Sequence, residues 1–134
     1  MASLEDTIYD KLVAVLAAAD LSTVSVYKGW RPQSSDVPCV TFLRISTEEI
    51  NGAAGTSGTR RTRAQIDTWS SSATTARTIA NAIRDGLDGW TNTSSPAISP
   101  VRIISDQDLI EQPDEGKGVA KHRVSQDYSL WWVT

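Results

Sequence analysis

The sequence predicts an α+β fold: a mostly antiparallel sheet of about five strands with two helices packed on one face. Three observations lead there. Apolar residues recur at helical spacing near 4–19 and 72–87. They alternate with polar residues near 23–27, 39–47, 60–69, 101–110 and 122–133. The strand segments follow one another through turn-like stretches, which favours antiparallel pairing and leaves the helices to share a face.

Each element has its own local warrant. Ser3 can cap the first helix, with Asp6 where a capping box places an acid, and Leu4, Ile8, Leu12, Val15 and Leu16 form its stripe. The helix fades near Asp20. "TVSVY" (23–27) alternates as a short strand. "GWRPQSSDVP" (29–38) is a loop, because Pro32 and Pro38 cannot donate to a ladder. In "CVTFLRIST" (39–47) Val40 and Phe42 take one face and Cys39, Leu43 and Ile45 the other, so one face meets the core and the other suits a neighbour. Residues 48–59 are expected as a long hairpin loop, rich in glycine (Gly52, Gly55, Gly58) and mobile over 51–58. In "RRTRAQIDTW" (60–69) Ala64 and Ile66 point to the core, and Arg61, Arg63, Gln65 and Asp67 away from it.

"SSS" (70–72) supplies caps for the second helix, whose stripe is Ala76, Ile79, Ala80, Ile83 and Leu87. Arg77, Asn81 and Asp85 lie away from that stripe, and Gly86 and Gly89 suit the helix end. "TNTSSPAISP" (91–100) is a polar connection, 101–110 a strand and 111–118 a turn. The closing strand, 122–133, turns Val124, Tyr128, Leu130 and Trp132 inward.

Composition narrows the function. A chain of 134 residues suits one domain spanning 1–134, and 40% apolar with 22% charged residues suits a folded globule. A net charge of −3 and a pI near 5.0 argue against a general nucleic-acid binder. Cys39 is the only cysteine, so neither an intrachain disulfide nor a cysteine zinc cluster can form. No apolar run reaches the length of a membrane span, and no secretory signal is present, so folding in a cytosol is expected. The sequon at Asn92 carries little weight without such a signal.

The candidate chemistry is sparse. Arg60, Arg61 and Arg63 could meet phosphates, but no aromatic ladder interleaves them as single-strand binding requires. Cross-strand pairing, for instance of Arg61 or Arg63 with Asp127, or a protein contact, accounts for them better. Neither "GAAGTSGT" nor "DEGKG" ends in the Lys-Ser/Thr of a phosphate-binding loop. The acids Asp106, Asp108, Glu111, Asp114 and Glu115 lack the order of a calcium loop and read as a solvated turn. His122 is the only histidine, and "GTSGT" is one residue too short for a nucleophile elbow, so a small hydrolase has little support. No catalytic constellation, cofactor site or metal site emerges.

The order of landmarks is informative. Tyr27, Pro32-Gln33, the Val37-Pro38 strand entry, Gln65-Ile66-Asp67 before a serine-rich cap, and Asp127-Tyr128-Ser129-Leu130-Trp131 near the end span nearly the whole chain. In that order they resemble the tail-completion, or tail-terminator, family of long-tailed bacteriophages. The resemblance implies a non-enzymatic virion protein with an α+β fold. It implies a homo-oligomeric ring, commonly of six subunits, at the head-proximal end of the tail tube. Such a ring stops tube polymerisation and joins tail to head. The implied partners are other copies of itself, the major tail tube protein and the head connector protein. DNA only passes through the lumen, and assembly takes place in the bacterial host cytoplasm without a membrane. A head–tail adaptor or a minor tail protein is the alternative. The candidate subunit interface comprises Gly52, Gly55, Gly58, Arg60, Arg61 and Arg63 with Glu48 and Glu49. The arginines are expected to meet carboxylates of the adjacent subunit, Glu48, Glu49 or the Asp106–Glu115 group.

Overall fold

The computed structural model describes residues 3–29, 38–52, 55–111 and 121–133. In chain order the elements are α1 (Leu4–Ala18), β1 (Ser25–Lys28), β2 (Cys39–Gly52), β3 (Gly55–Ser70), α2 (Ala73–Leu87), β4 (Ala97–Ile98), β5 (Arg102–Glu111) and β6 (Lys121–Val133). The fold is α+β, and among the described residues the sheet has six strands rather than five. Its order is β1-β2-β3-β6, with β4 and β5 both paired to β6. Every pairing is antiparallel except β1 with β2, which is parallel.

The helices form where the caps and stripes place them. The Ser3 hydroxyl accepts from the Asp6 amide at 3.0 Å, and the Ser72 hydroxyl accepts from the Thr75 amide at 3.4 Å. Both bonds satisfy donors that the first helical turn leaves free. The buried residues of α1 are Leu4, Ile8, Leu12, Val15 and Leu16, and those of α2 are Ala76, Ile79, Ala80, Ile83 and Leu87. Except for Val15, Ala76 and Ala80, these join Val40, Phe42, Ala64, Ile66, Tyr128, Leu130 and Trp132 in one core cluster. Both helices therefore cover the same face of the sheet. Ala76 and Ala80 form a smaller cluster with Val124.

Several expectations change. Residues 48–52 and 55–59 are not a loop. They continue β2 and β3 as a paired ladder up to Gly52–Gly55, so only 53–54 of that stretch lie outside the described residues. The first strand sits at Ser25–Lys28 rather than 23–27. The polar connection after α2 contains β4, where buried Ile98 pairs with Trp132. Asp106 and Asp108 belong to a strand rather than a solvated turn, and Arg77 of α2 pairs with both. Gly86 does not end α2. It sits inside the helix, where an added Cβ would lie 2.5 Å from Val15 Cγ2 of α1. The loop at 30–37 and most of the turn at 111–118 lie outside the described residues.

Candidate assembly interface

The eight residues singled out in the sequence converge on one hairpin. Glu48 stands opposite Arg61 and Glu49 opposite Arg60 in the β2–β3 register. Because successive residues of a strand alternate faces, the two pairs lie on opposite faces of the hairpin. Arg61 Nε donates to Glu48 Oε1 at 2.7 Å, and Arg60 Nε donates to Glu49 Oε1 at 2.8 Å. Arg63 reaches Asp127 of β6 at 2.5 Å. All three arginines are thus paired within the chain, Arg63 with the partner its alternation suggests. Each pair is partly exposed and worth about 0–1 kcal/mol.

Past Arg60 the hairpin leaves the sheet behind. The β3–β6 ladder ends at Arg60–Trp132, while β2 and β3 stay paired through Ile50–Thr59, Asn51–Thr56 and Gly52–Gly55. The shift in register after Ile50 gives β3 two extra residues, one of them Gly58 at φ +81. A glycine at positive φ in a bulge is the local solution to such a mismatch, since a side chain would be strained there.

The base of this arm is braced. Trp132 Nε1 donates to Thr62 Oγ1 at 2.8 Å, and Thr62 Oγ1 lies 2.8 Å from Thr47 Oγ1. These contacts tie β6, β3 and β2 together beneath the arm. The guanidiniums of Arg60 and Arg44 lie 5.1 and 5.6 Å from the Trp132 ring centre, and Arg61 lies 5.4 Å from that of Trp131. Cations at that range gain from the ring's negative face. Arg44 also pairs with Glu5 of α1 at 2.5 Å, which links the brace to the helix layer. The sequence places Trp132 on the inward face and Trp131 among the landmarks, but it assigns neither tryptophan nor the two threonines a role in bracing the arm. The available signal was the adjacent Trp131 and Trp132, which a strand must send to opposite faces.

A second polar cluster joins α2 to β5 and β6. Buried Gln126 donates to the Ala80 carbonyl at 3.1 Å and to Asp106 Oδ2 at 3.2 Å, and it accepts from the Tyr128 hydroxyl at 3.3 Å. Burial pushes the Asp106 carboxyl up, but the bonds from Arg77 and Gln126 outweigh this and hold it below its ordinary value. Burial, helped by the nearby Asp106 charge, raises the Tyr128 phenol and keeps it neutral. The lysine partner Lys28, and then Ser3, hold Asp6 below its ordinary value. These groups fix structure. Asp106 and Asp108 share Arg77 of their own chain.

His122 lines a cavity of about 490 Å³ between α2 and the β5–β6 pair, together with Arg77, Asp108, Leu109 and Ile110. No serine is among the described residues that line it. Cys39 is fully buried, as its apolar strand suggested. Among the described residues no helix is long and apolar enough to cross a membrane.

A family model described as tail completion protein gp17 matches residues 6–132, almost the entire chain. The chain belongs to that family. It is a structural tail protein of phage-type virions by that membership. Among solved structures, this tail completion chain is similar to one in the virion of a native gene transfer agent particle. The TM-score is 0.71 at 14% identity, covering 98% of this chain and 96% of that one. At that identity the likeness speaks for the fold. No curated protein matches the chain.

Proposed function

We propose that the protein forms a closed ring, six subunits in number by family resemblance, at the head-proximal end of a phage tail tube. There it ends tube polymerisation and joins the tail to the head connector protein, leaving a lumen through which DNA passes. The observation that carries this reading, beyond membership of the family, is the braced arm. Residues 50–59 are paired only to each other among the described residues, past the last rung shared with β6. A long hairpin costs closure entropy, and one that projects past its own sheet adds little to its own core. Its use lies in contacts with other chains.

The proposed subunit contact is the arm as a unit: Gly52, Gly55 and Gly58 with Glu48, Glu49, Arg60, Arg61 and Arg63. The charged residues act by shaping the arm or by exchanging partners at the contact, because each already has a partner in its own chain. Sedimentation and negative-stain microscopy over a range of concentrations test the ring. Closed particles of one size are expected, and their addition to polymerising tube protein should cap tube length. Monomer at every concentration, or open filaments, would refute the reading.

A further inference from the structure

The sheet has two open edges of matched length. β1 pairs with β2 only over Cys39–Phe42. Of the 14 residues of β2, four are covered and the other ten, Leu43–Gly52, have no strand on that side among the described residues. At the other end β5 has ten residues, Arg102–Glu111, paired among the described residues to β6 on one side only. Ten residues of antiparallel strand run about 34 Å. Unpaired edges of that length are templates for another strand.

We propose that the outer edge of β5 in one copy pairs antiparallel with the open edge of β2 in the next, so that the sheet continues from subunit to subunit. This rests on the ring reading above and says how its subunits join. The directions of the strands lead to it. Strands β2, β3, β6 and β5 are neighbours in that order, and each pairs antiparallel with the next. A rotation about an axis along the strands preserves both direction and face. It therefore sets β2 of the next copy antiparallel to β5, and the alternation continues without a break. The contact is heterologous, one edge on a different edge, which is what a cyclic ring requires.

The side chains agree. Both edges expose large apolar residues: Leu43 (52%) and Ile45 (46%) on β2, Ile104 (52%) and Ile110 (60%) on β5. The acids at both edges have arginine partners in their own chain, one each on β2 and one shared between two on β5. Glu48 and Glu49 pair with Arg61 and Arg60, and Asp106 and Asp108 pair with Arg77. These pairings lower the repulsion between two acidic edges. Backbone bonds then supply the affinity and the alternating side chains the register.

Disulfide trapping tests it. Ser46, Glu48 and Ile50 share the face away from the helices with Ser105, Gln107 and Leu109, as their opposition to Arg63, Arg61, Asp127, Ser125 and Arg123 shows. Within one chain β3 and β6 stand between β2 and β5. A disulfide needs Cα atoms within about 7 Å. A bond within one chain joins no second copy, so a covalent ladder reports only bonds between copies. Glu48→Cys would be combined in turn with Ser105→Cys, Gln107→Cys and Leu109→Cys. Under mild oxidation at least one combination should yield a covalent ladder ending at the ring number, with the single variants giving none. Rings seen by microscopy with no ladder from any combination would overturn the edge pairing and leave the ring reading standing. Absence of both rings and ladders would overturn both. Rings of the cysteine variants before oxidation, with far-ultraviolet circular dichroism, separate a failed contact from a failed fold.

Discussion

Gly86 offers a test in which two opposed effects are of known size. Alanine in a helix interior is about 1 kcal/mol more favourable than glycine. On an exposed helix, Gly86→Ala would stabilise. Here the new Cβ would lie 2.5 Å from Val15 Cγ2, 2.8 Å from Cγ1 and 3.2 Å from Val15 Cβ. The last distance decides the sign. A flexible side chain could swing its tip aside, but a Cβ is fixed to its own backbone, so α1 and α2 must move apart. Overpacking of this kind costs about 1–3 kcal/mol, and contact with three atoms of a β-branched residue belongs near the upper end. The net loss is about 1–2 kcal/mol, or a fall in Tm of about 3–8 °C for a chain of this size. Thermal melts of the parent, Gly86→Ala, Val15→Ala and the double variant form a cycle. Val15→Ala removes two of the three clashing atoms, so the double variant should be more stable than the sum of the singles by about 1 kcal/mol or more. A higher Tm for Gly86→Ala, or simple additivity, would refute the close approach of the two helices.

Three further outcomes follow from the same geometry. Trp132→Ala should cost about 3–5 kcal/mol, against about 1 kcal/mol for Trp132→Phe, which keeps a ring for Arg44 and Arg60 but loses the bond to Thr62; denaturant melts give the size, and hydrogen exchange should show faster opening of β2 and β3 at the arm base. Replacing residues 51–58 by a two-residue Asn-Gly turn should leave Tm within about 2 °C and weaken ring formation, with Arg61→Glu doing less; equal assembly of the shortened chain, read by light scattering, counts against the arm. The depressed Asp106 carboxyl contributes stability that is present above its unfolded value of 3.8 and lost as pH falls through the lower folded value; the pH-dependence of unfolding should therefore flatten below 3.8 in Asp106→Asn, and an unchanged slope would remove Arg77–Asp106 from the acid response.

The helix layer was legible almost residue by residue, because a stripe at 3.6 spacing has few alternatives once capped. All five residues expected on the face of α2 are buried. The core strands were legible for the same reason at period two: Ala64, Ile66, Tyr128 and Leu130 are buried under the helices as their alternation suggests. The arm was not. Asn51–Gly58 carries no large apolar residue, so hydrophobic alternation has nothing to report there. The usable signal was electrostatic. Glu48-Glu49 and Arg60-Arg61 are mirror-ordered pairs, which an antiparallel ladder sets opposite each other. Gln126 escaped because it is polar on an otherwise apolar face; it is tolerated there because Ala80, Asp106 and Tyr128 satisfy it. β4 spans only two residues, too few for any period to register.

The state of the arm before assembly changes how a ring would form. A disordered loop would lose its conformational entropy at each subunit contact and weaken it accordingly. The described residues of the arm are instead already in a ladder, braced by Trp132, Thr62 and Thr47. The ordering cost falls on folding, and association is left with docking one formed edge on another. Preformed edges carry the opposite hazard, since they pair indiscriminately. Both edges answer it in the same way. The register breaks around Ile45 in β2 and around Ile104 in β5, so neither offers an uninterrupted ladder to an arbitrary strand. A partner must match a bulged edge, and another copy of the same chain at a fixed rotation does so repeatedly. Once the last copy closes the circle, every β5 edge has met a β2 edge and none remains to recruit another subunit. On this reading, self-limitation belongs to the topology: the interaction that builds the ring also exhausts the surface that could have extended it.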